Sequence, residues 1–141
     1  MSSIHRALMA HPAAPDVTSG ERSAEAECVE ACLETAEICL IAADACLDED
    51  DVAQLRECMR AEQDCAVISS ATAAVLARLS FPVPGDGRAV LLPLLESCRA
   101  AAAACREACE RHAEAYEHCG AAAEAGERCE RACAALLERR S

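Results

Sequence analysis

The twelve cysteines of this chain are the residues whose type and spacing could do chemistry. Residues three, four or seven positions apart lie on the same face of a helix. Cys28, Cys32, Cys39 and Cys46 follow this spacing in the first half of the chain. The remaining eight fall in three later rows, Cys58 and Cys65, then Cys98, Cys105 and Cys109, then Cys119, Cys129 and Cys133. The spacing predicts four helices, each with cysteines along one face.

A row of inward cysteines is suited to binding a soft metal ion. Copper(I) prefers sulfur and accepts two or three ligands, whereas structural zinc usually requires four in a tetrahedron. Pairs four residues apart, such as Cys105 and Cys109, place two sulfurs over one helical turn. Each bound copper(I) can replace a thiol proton, so many ions can be buried with little change in charge. We therefore expect multiple copper(I) ions, about one for each cysteine at most.

Non-cysteine ligands gather near one pair of predicted chain reversals. His112 and His118 flank the last reversal, and the acidic stretch 48–51 forms the first. In an up-down bundle these two connections lie at the same end. We predict that His112 and His118 are additional copper ligands there and that the acidic residues attract the incoming cation.

The elements that must position these residues are bounded by helix breakers and by the acidic stretch. Four segments contain few helix breakers and are rich in Ala, Leu, Glu and Arg, at about 21–47, 51–80, 88–112 and 116–139. The sequence predicts an all-α antiparallel up-down four-helix bundle over 21–141. Residues 1–20 are expected to form a separate segment, partly flexible, with a short extra helix near 3–10.

The side chains around the cysteine rows predict a two-ended molecule. Leucines and other apolar residues are expected to seal the end opposite the histidines, among them Leu76, Leu91, Leu95 and Leu136, with Phe81, Val83 and Val90. Charged residues off the cysteine rows, such as Glu25 and Glu34, are expected to remain in water. This arrangement predicts that metal is exchanged at one end only.

Composition excludes several functions. The formal charge of −12 and the absence of a Lys/Arg run argue against nucleic acid and against anionic membrane surfaces. No Gly-rich phosphate loop, hydrolase elbow or E-x-x-H pair is present, so we expect no enzyme activity. Without a secretory or membrane-spanning segment the expected compartment is the cytoplasm, where cysteines remain thiols.

The chain resembles the cytosolic cysteine-rich copper storage proteins. The resemblance covers about 21–139 and is most specific from Cys98 to Cys133, where C-x6-C-x3-C-x-x-His precedes His118 and Cys119. The resemblance implies reversible copper(I) storage without catalysis, in subunits that commonly form homo-tetramers. Family members that are richer in cysteine have cysteine at more of the inward positions. In this chain some of those positions hold other residues, so we expect a reduced copper capacity. They are Thr35, Ser69, Thr72, Ala102, Ala122 and Gly126.

Two other interpretations remain open at this point. A zinc or general thiophilic-metal buffer would use the same bundle with a different ion. A structural bundle would use cysteine only as a small apolar residue, which is usual for one or two buried cysteines but not for twelve in register. For the copper interpretation, a copper chaperone or a small thiol would deliver the metal.

Overall fold

The computed structural model describes residues 2–12, 19–79 and 87–140. Five α-helices follow one another: α1 over Ser3–Met9, α2 over Ser19–Leu47, α3 over Arg56–Leu79, α4 over Gly87–Glu110 and α5 over Glu117–Arg140. Alanine and leucine, which favour helix, are common throughout α2 to α5, and Arg139 and Arg140 occupy the last turn of α5, where cations interact favourably with the helix dipole.

Helices α2 to α5 form an antiparallel up-down bundle. Each packs against the next along the chain, and α5 packs against α2 to close the ring. The predicted fold class is therefore confirmed. The loops after α2 and α4 meet at one end, which we call the upper end, where Tyr116 Oη lies 3.5 Å from Asp51 Oδ2. The start of α2 and the end of α5 meet at the opposite, lower end, where Arg140 Nη2 lies 2.8 Å from Glu25 Oε2.

The predicted helix boundaries agree with the structure within a few residues, except at the second helix. The prediction began that helix at residue 51, but a 3-10 turn occupies Val52–Leu55 and α3 begins at Arg56. Leu55 is fully buried, so this turn packs its last side chain under the upper end. The predicted extra helix near 3–10 corresponds to α1, which packs against α2.

Conventional apolar packing is concentrated at the lower end. Leu76, Leu91, Leu95 and Leu136 are at most 2 % exposed and lie in one cluster with the cysteines. The prediction that Val90 joins this apolar end is wrong, because its side chain is half exposed. Phe81 and Val83 lie outside the described residues.

The expectation that Glu25 remains in water is wrong. Glu25 is fully buried at the lower end, 2.7 Å from Arg22 Nη1 and 2.8 Å from Arg140 Nη2. It lies three residues before Cys28 and so shares the inward face of α2. Opposite charges on both sides allow this carboxylate to be buried.

The helices of this bundle carry charged as well as apolar side chains. Among the described helices, none has the length and apolar character needed to cross a membrane. Charged side chains instead pair across the outer surface, as Arg128 does with Glu34 at 3.0 Å.

Candidate metal centre

All twelve cysteines are free thiols, and every one is fully buried. The four rows predicted from spacing meet along the bundle axis, because each row is the inward face of one helix. Most of the close sulfur contacts join different helices, and Cys105 and Cys109, 3.9 Å apart, make a close contact within one helix. The cysteines form two clusters along the axis.

The lower cluster consists of Cys28, Cys32, Cys98, Cys129 and Cys133. Cys98 Sγ lies 3.8 Å from Cys32 Sγ and 3.7 Å from Cys129 Sγ. The sulfurs of Cys32, Cys98, Cys129 and Cys133 all lie within 4.8 Å of one another. Cys28 extends the cluster, with its sulfur 3.9 Å from that of Cys133.

The upper cluster consists of seven cysteines, Cys39, Cys46, Cys58, Cys65, Cys105, Cys109 and Cys119. Its inner part is a triad, Cys39, Cys65 and Cys105, whose sulfurs lie within 4.8 Å of one another. The sulfur contacts continue from Cys105 to Cys109, then to Cys58 at 3.0 Å and to Cys119 at 3.9 Å. These contacts make a nearly continuous sulfur lining up to the end of the bundle.

His118 completes the upper cluster at its outer edge. Its Nδ1 lies 3.8 Å from Cys46 Sγ and 3.7 Å from Cys119 Sγ. Its Nε2 lies 2.8 Å from Glu49 Oε2. Histidine ligands of metals characteristically donate their second ring nitrogen to a carboxylate, which fixes the ring orientation. His118 is 20 % exposed and Glu49 32 % exposed, so this part of the cluster faces solvent.

Glu62 is a candidate ligand that the sequence analysis missed. It is fully buried, and its two carboxylate oxygens lie 3.7 Å from Cys46 Sγ and 3.5 Å from Cys109 Sγ. Together with Cys46 and Cys58 it forms a group of potential ligands within 4.8 Å. Glu62 is four residues after Cys58 and three before Cys65, so the helical period that located the cysteines also placed this residue inward.

His112 differs from His118 in its placement. It belongs to the turn between α4 and α5, is partly exposed, and is tied to α4 by its amide, which donates to the Cys109 carbonyl at 3.0 Å. The structure does not bring its side chain into any of the four groups of potential ligands found among the described residues. The acidic loop 48–51 lies at the same end of the bundle, as predicted, with Glu49 next to His118 and Asp51 next to Tyr116.

A layer without thiols separates the two clusters. We call it the waist layer; it consists of Thr35 on α2, Ser69 on α3, Ala102 on α4 and Gly126 on α5, all buried. Thr35 Oγ1 donates to the Ala125 carbonyl at 3.1 Å. A Cβ added to Gly126 would lie 2.8 Å from the Ala102 carbonyl oxygen, so α4 and α5 approach backbone to backbone here. Only glycine permits this approach without a shift.

Contacts between buried thiols make some of them acidic at the expense of their neighbours. The pKa of Cys98 is lowered because Cys129, Cys133 and Cys32 can donate to its thiolate. The pKa of Cys32 is raised, chiefly by its own contacts with Cys129 and Cys133. In the upper cluster the pKa of Cys105 is lowered by Cys109 and by Cys39. Each cluster therefore contains a sulfur prepared to lose its proton to an arriving metal ion.

Near the upper end, burial raises the pKa of two ionisable groups, Cys46 and Glu62. Burial and then the negative charge of Glu62 raise the pKa of Cys46 to about 12. Burial also raises the pKa of Glu62 to about 7, with a further contribution from the charge of Cys105. Without a cation both groups favour their neutral forms, and a metal ion would reverse this preference.

Thiols and a few borderline ligands lining the interior of a four-helix bundle define a class of proteins that hold soft metal ions inside the bundle. The family model of the copper storage proteins (Csp) matches this chain over residues 21–138. The chain belongs to the copper storage protein family.

Solved structures of a relative agree with this assignment. The chain is similar to the copper storage protein Ccsp of Streptomyces lividans loaded with 10 copper equivalents, with 40 % identity, a TM-score of 0.84, and coverage of 96 % of this chain and 98 % of that one. A second structure, of a cytosolic copper storage protein from the same organism with five coppers, shows 44 % identity and a TM-score of 0.80 over 86 % of this chain and 98 % of that one. No curated protein matches the chain significantly.

Proposed function

We propose that this protein binds and stores multiple copper(I) ions, reversibly, on the thiolates that line its bundle. The observation that carries the proposal is the arrangement of twelve buried free thiols in two clusters, with many sulfur-to-sulfur distances between 3.0 and 3.9 Å. A copper(I) ion can be held by two or three such sulfurs after small side-chain movements. Seven sulfurs would hold metal in the upper cluster and five in the lower.

The ligands proposed from the sequence are the twelve cysteines, His112 and His118, and we add Glu62. His118 would bind through Nδ1, because that atom faces Cys46 and Cys119. His112 is proposed as a transient ligand for arriving copper, since its partly exposed side chain lies on the upper turn. Glu62 would contribute an oxygen ligand and one negative charge to offset an extra cation.

The role is one of storage without catalysis. We assign the protein to the cytosol, where thiols remain reduced and where the Streptomyces lividans relative is described as residing. A copper chaperone or a small thiol is the proposed donor and acceptor of metal. Subunits are proposed to assemble as homo-oligomers, with a tetramer expected from the family resemblance.

An anaerobic titration of reduced apo-protein with copper(I) tests the proposal. The absorbance of sulfur-to-copper charge transfer and a competing copper(I) chelator would be followed together, after the thiols have been counted. We expect a tight endpoint near ten or more equivalents per chain, about one for each thiol. A plateau at one or two equivalents would exclude storage and would indicate a trafficking or sensing protein.

One group of residues also favours zinc as a second candidate ion. Cys32, Cys98, Cys129 and Cys133 supply four sulfurs within 4.8 Å, and zinc prefers four thiolates in a tetrahedron. A zinc protein would fill this group and little else, because the remaining groups offer three ligands each. Competition between zinc and copper(I), monitored by metal analysis after gel filtration, separates the two functions.

A further inference from the structure

Ser69 occupies the position at which the two cysteine clusters would otherwise join. Its side chain is fully buried, and its Oγ lies 3.7 Å from Cys65 Sγ in the upper cluster. The same atom lies 3.7 Å from Cys98 Sγ and 3.8 Å from Cys129 Sγ in the lower cluster. Ser69 is thus a hydroxyl in contact with thiols on both sides of the waist layer.

A hydroxyl at this point interrupts the row of soft ligands. Metal-to-sulfur bonds are about 2.3 Å long, so two sulfurs that share one ion lie at most about 4.6 Å apart. Among the described residues, none of the four groups of potential ligands within 4.8 Å combines thiols from both clusters. Hydroxyl oxygen is a hard ligand, which copper(I) does not favour. Passage across Ser69 therefore lacks the sulfur that would support an ion halfway.

Among the described residues, leucines close the bundle on the other side of the lower cluster. Leu76, Leu91 and Leu95 are buried beyond it. At that end Arg22 and Arg140 hold Glu25 in buried ion pairs of 2.7 and 2.8 Å, the second of which joins α2 to α5. The upper end, in contrast, exposes part of His118 and carries the acidic loop. We therefore take the upper cluster as the route by which copper reaches the lower cluster.

We propose that Ser69 is the barrier to copper(I) transfer between the upper cluster, here called the upper pool, and the lower cluster, here called the lower pool. This inference rests on the proposed function. In the passage step the bond from one copper(I) to Cys65 sulfur breaks, the ion passes Ser69, and a bond to Cys98 sulfur then forms. The proton of the Cys98 thiol passes to the Cys65 thiolate, so charge balances and no oxidation occurs.

The experiment is a stopped-flow mixing of excess copper(I) with reduced protein under anaerobic conditions, followed by sulfur-to-copper absorbance. We expect a fast phase from the upper pool and a slow phase from the lower pool. The substitution Ser69→Cys supplies the missing sulfur and should accelerate the slow phase at least about tenfold, equivalent to about 1.4 kcal/mol in the barrier.

A matched variant separates bridging from mere addition of a thiol. Thr72→Cys also adds one sulfur to the inward face of α3, but one turn further towards the lower end, and should leave the slow rate unchanged. Ser69→Ala removes the hydroxyl without adding sulfur and should leave the slow phase slow. An equal acceleration in Thr72→Cys or in Ser69→Ala would overturn the proposal.

The slow phase is assigned with a lower-pool variant. Cys32→Ser combined with Cys129→Ser should remove most of the slow amplitude and retain the fast one. A single phase in the unmodified protein, or loss of the fast phase in this double variant, would refute the two-pool arrangement. These outcomes are distinct from failure of copper storage itself, in which the unmodified protein would show no tight multi-copper endpoint.

Discussion

The two cysteine clusters are built from the same four helical faces, yet they differ in what surrounds the sulfur. The lower cluster packs against hydroxyls and leucines, and within the described parts of the chain its ligand group contains cysteines alone. The upper cluster includes Glu62 and His118, and its outer edge reaches solvent. The comparison teaches that position along the bundle axis, rather than the cysteine spacing, decides how a thiol group can exchange metal.

The largest expected effect comes from removing three thiols from one cluster at a time. Cys32→Ser, Cys98→Ser and Cys129→Ser together should lower the capacity by about three copper ions at one per thiol, and filling of the upper cluster should stay fast. Cys39→Ser, Cys65→Ser and Cys105→Ser should lower the capacity by a similar amount and also slow filling of the lower cluster. Titration endpoints and uptake rates of the two triple variants measure the difference. Equal uptake kinetics in both would contradict the distinction between the clusters.

Apo-protein stability should depend more on the lower end than on the upper. Leu95→Ala is expected to lower the free energy of unfolding by about 2–5 kcal/mol, because it leaves a cavity in the leucine layer. Cys58→Ala, at an equally buried site in the upper cluster, should cost less, because cysteine is a small side chain. Urea unfolding of both metal-free variants tests the ranking, and a larger loss for Cys58→Ala would reverse it.

The carboxyl of the upper cluster should make apo-protein stability depend on pH. Burial raises the pKa of Glu62 to about 7 from an ordinary value of 4.5. Its contribution is therefore complete below about pH 4.5 and is lost as the pH rises through 7. Glu62→Gln should match the unmodified protein at pH 4 and exceed its stability at pH 8 by up to about 3 kcal/mol.

Glu37→Gln on the exposed face of α2 is the matched control and should show no such difference between the two pH values. Thermal melts of the metal-free proteins at both pH values provide the measurement. If Glu62→Gln were less stable than the unmodified protein at pH 8, the carboxylate would be stabilised by its surroundings and the assigned direction would be incorrect.

A smaller change in apo-protein stability is expected from a substitution in the waist layer, between the two clusters. Gly126→Ala should destabilise the apo-protein by about 1–3 kcal/mol, because the new Cβ would overlap the Ala102 carbonyl oxygen and force α4 away from α5. Gly120→Ala is a suitable control, since its Cβ would have an ordinary contact with Ala113 at 3.7 Å. Similar unfolding midpoints for the two variants would show that the close approach at the waist layer is not required.

Much of this architecture could be predicted from the sequence, because cysteine spacing reports directly on the face of a helix. The same period contained Glu62 and Glu25, but both were overlooked because a carboxylate is ordinarily a surface group. The separation into two clusters was not predictable, since it depends on which residues of different helices lie at one level. Thr35, Ser69 and Gly126 indicated lower capacity, but only the bundle register places them side by side. The division at residue 20 and the ligand roles stay predictions.

The backbone contact between Gly126 and Ala102 also has a mechanical consequence. Copper ions are bulkier than the protons they replace, and a close-packed interior has little free volume to absorb them. The two backbones cannot move closer at the waist layer, and the ion pairs of Arg22 and Arg140 with Glu25 hold the lower end together. Swelling on loading should therefore be largest at the upper end, where the bundle is joined by loops and opens most readily as it fills.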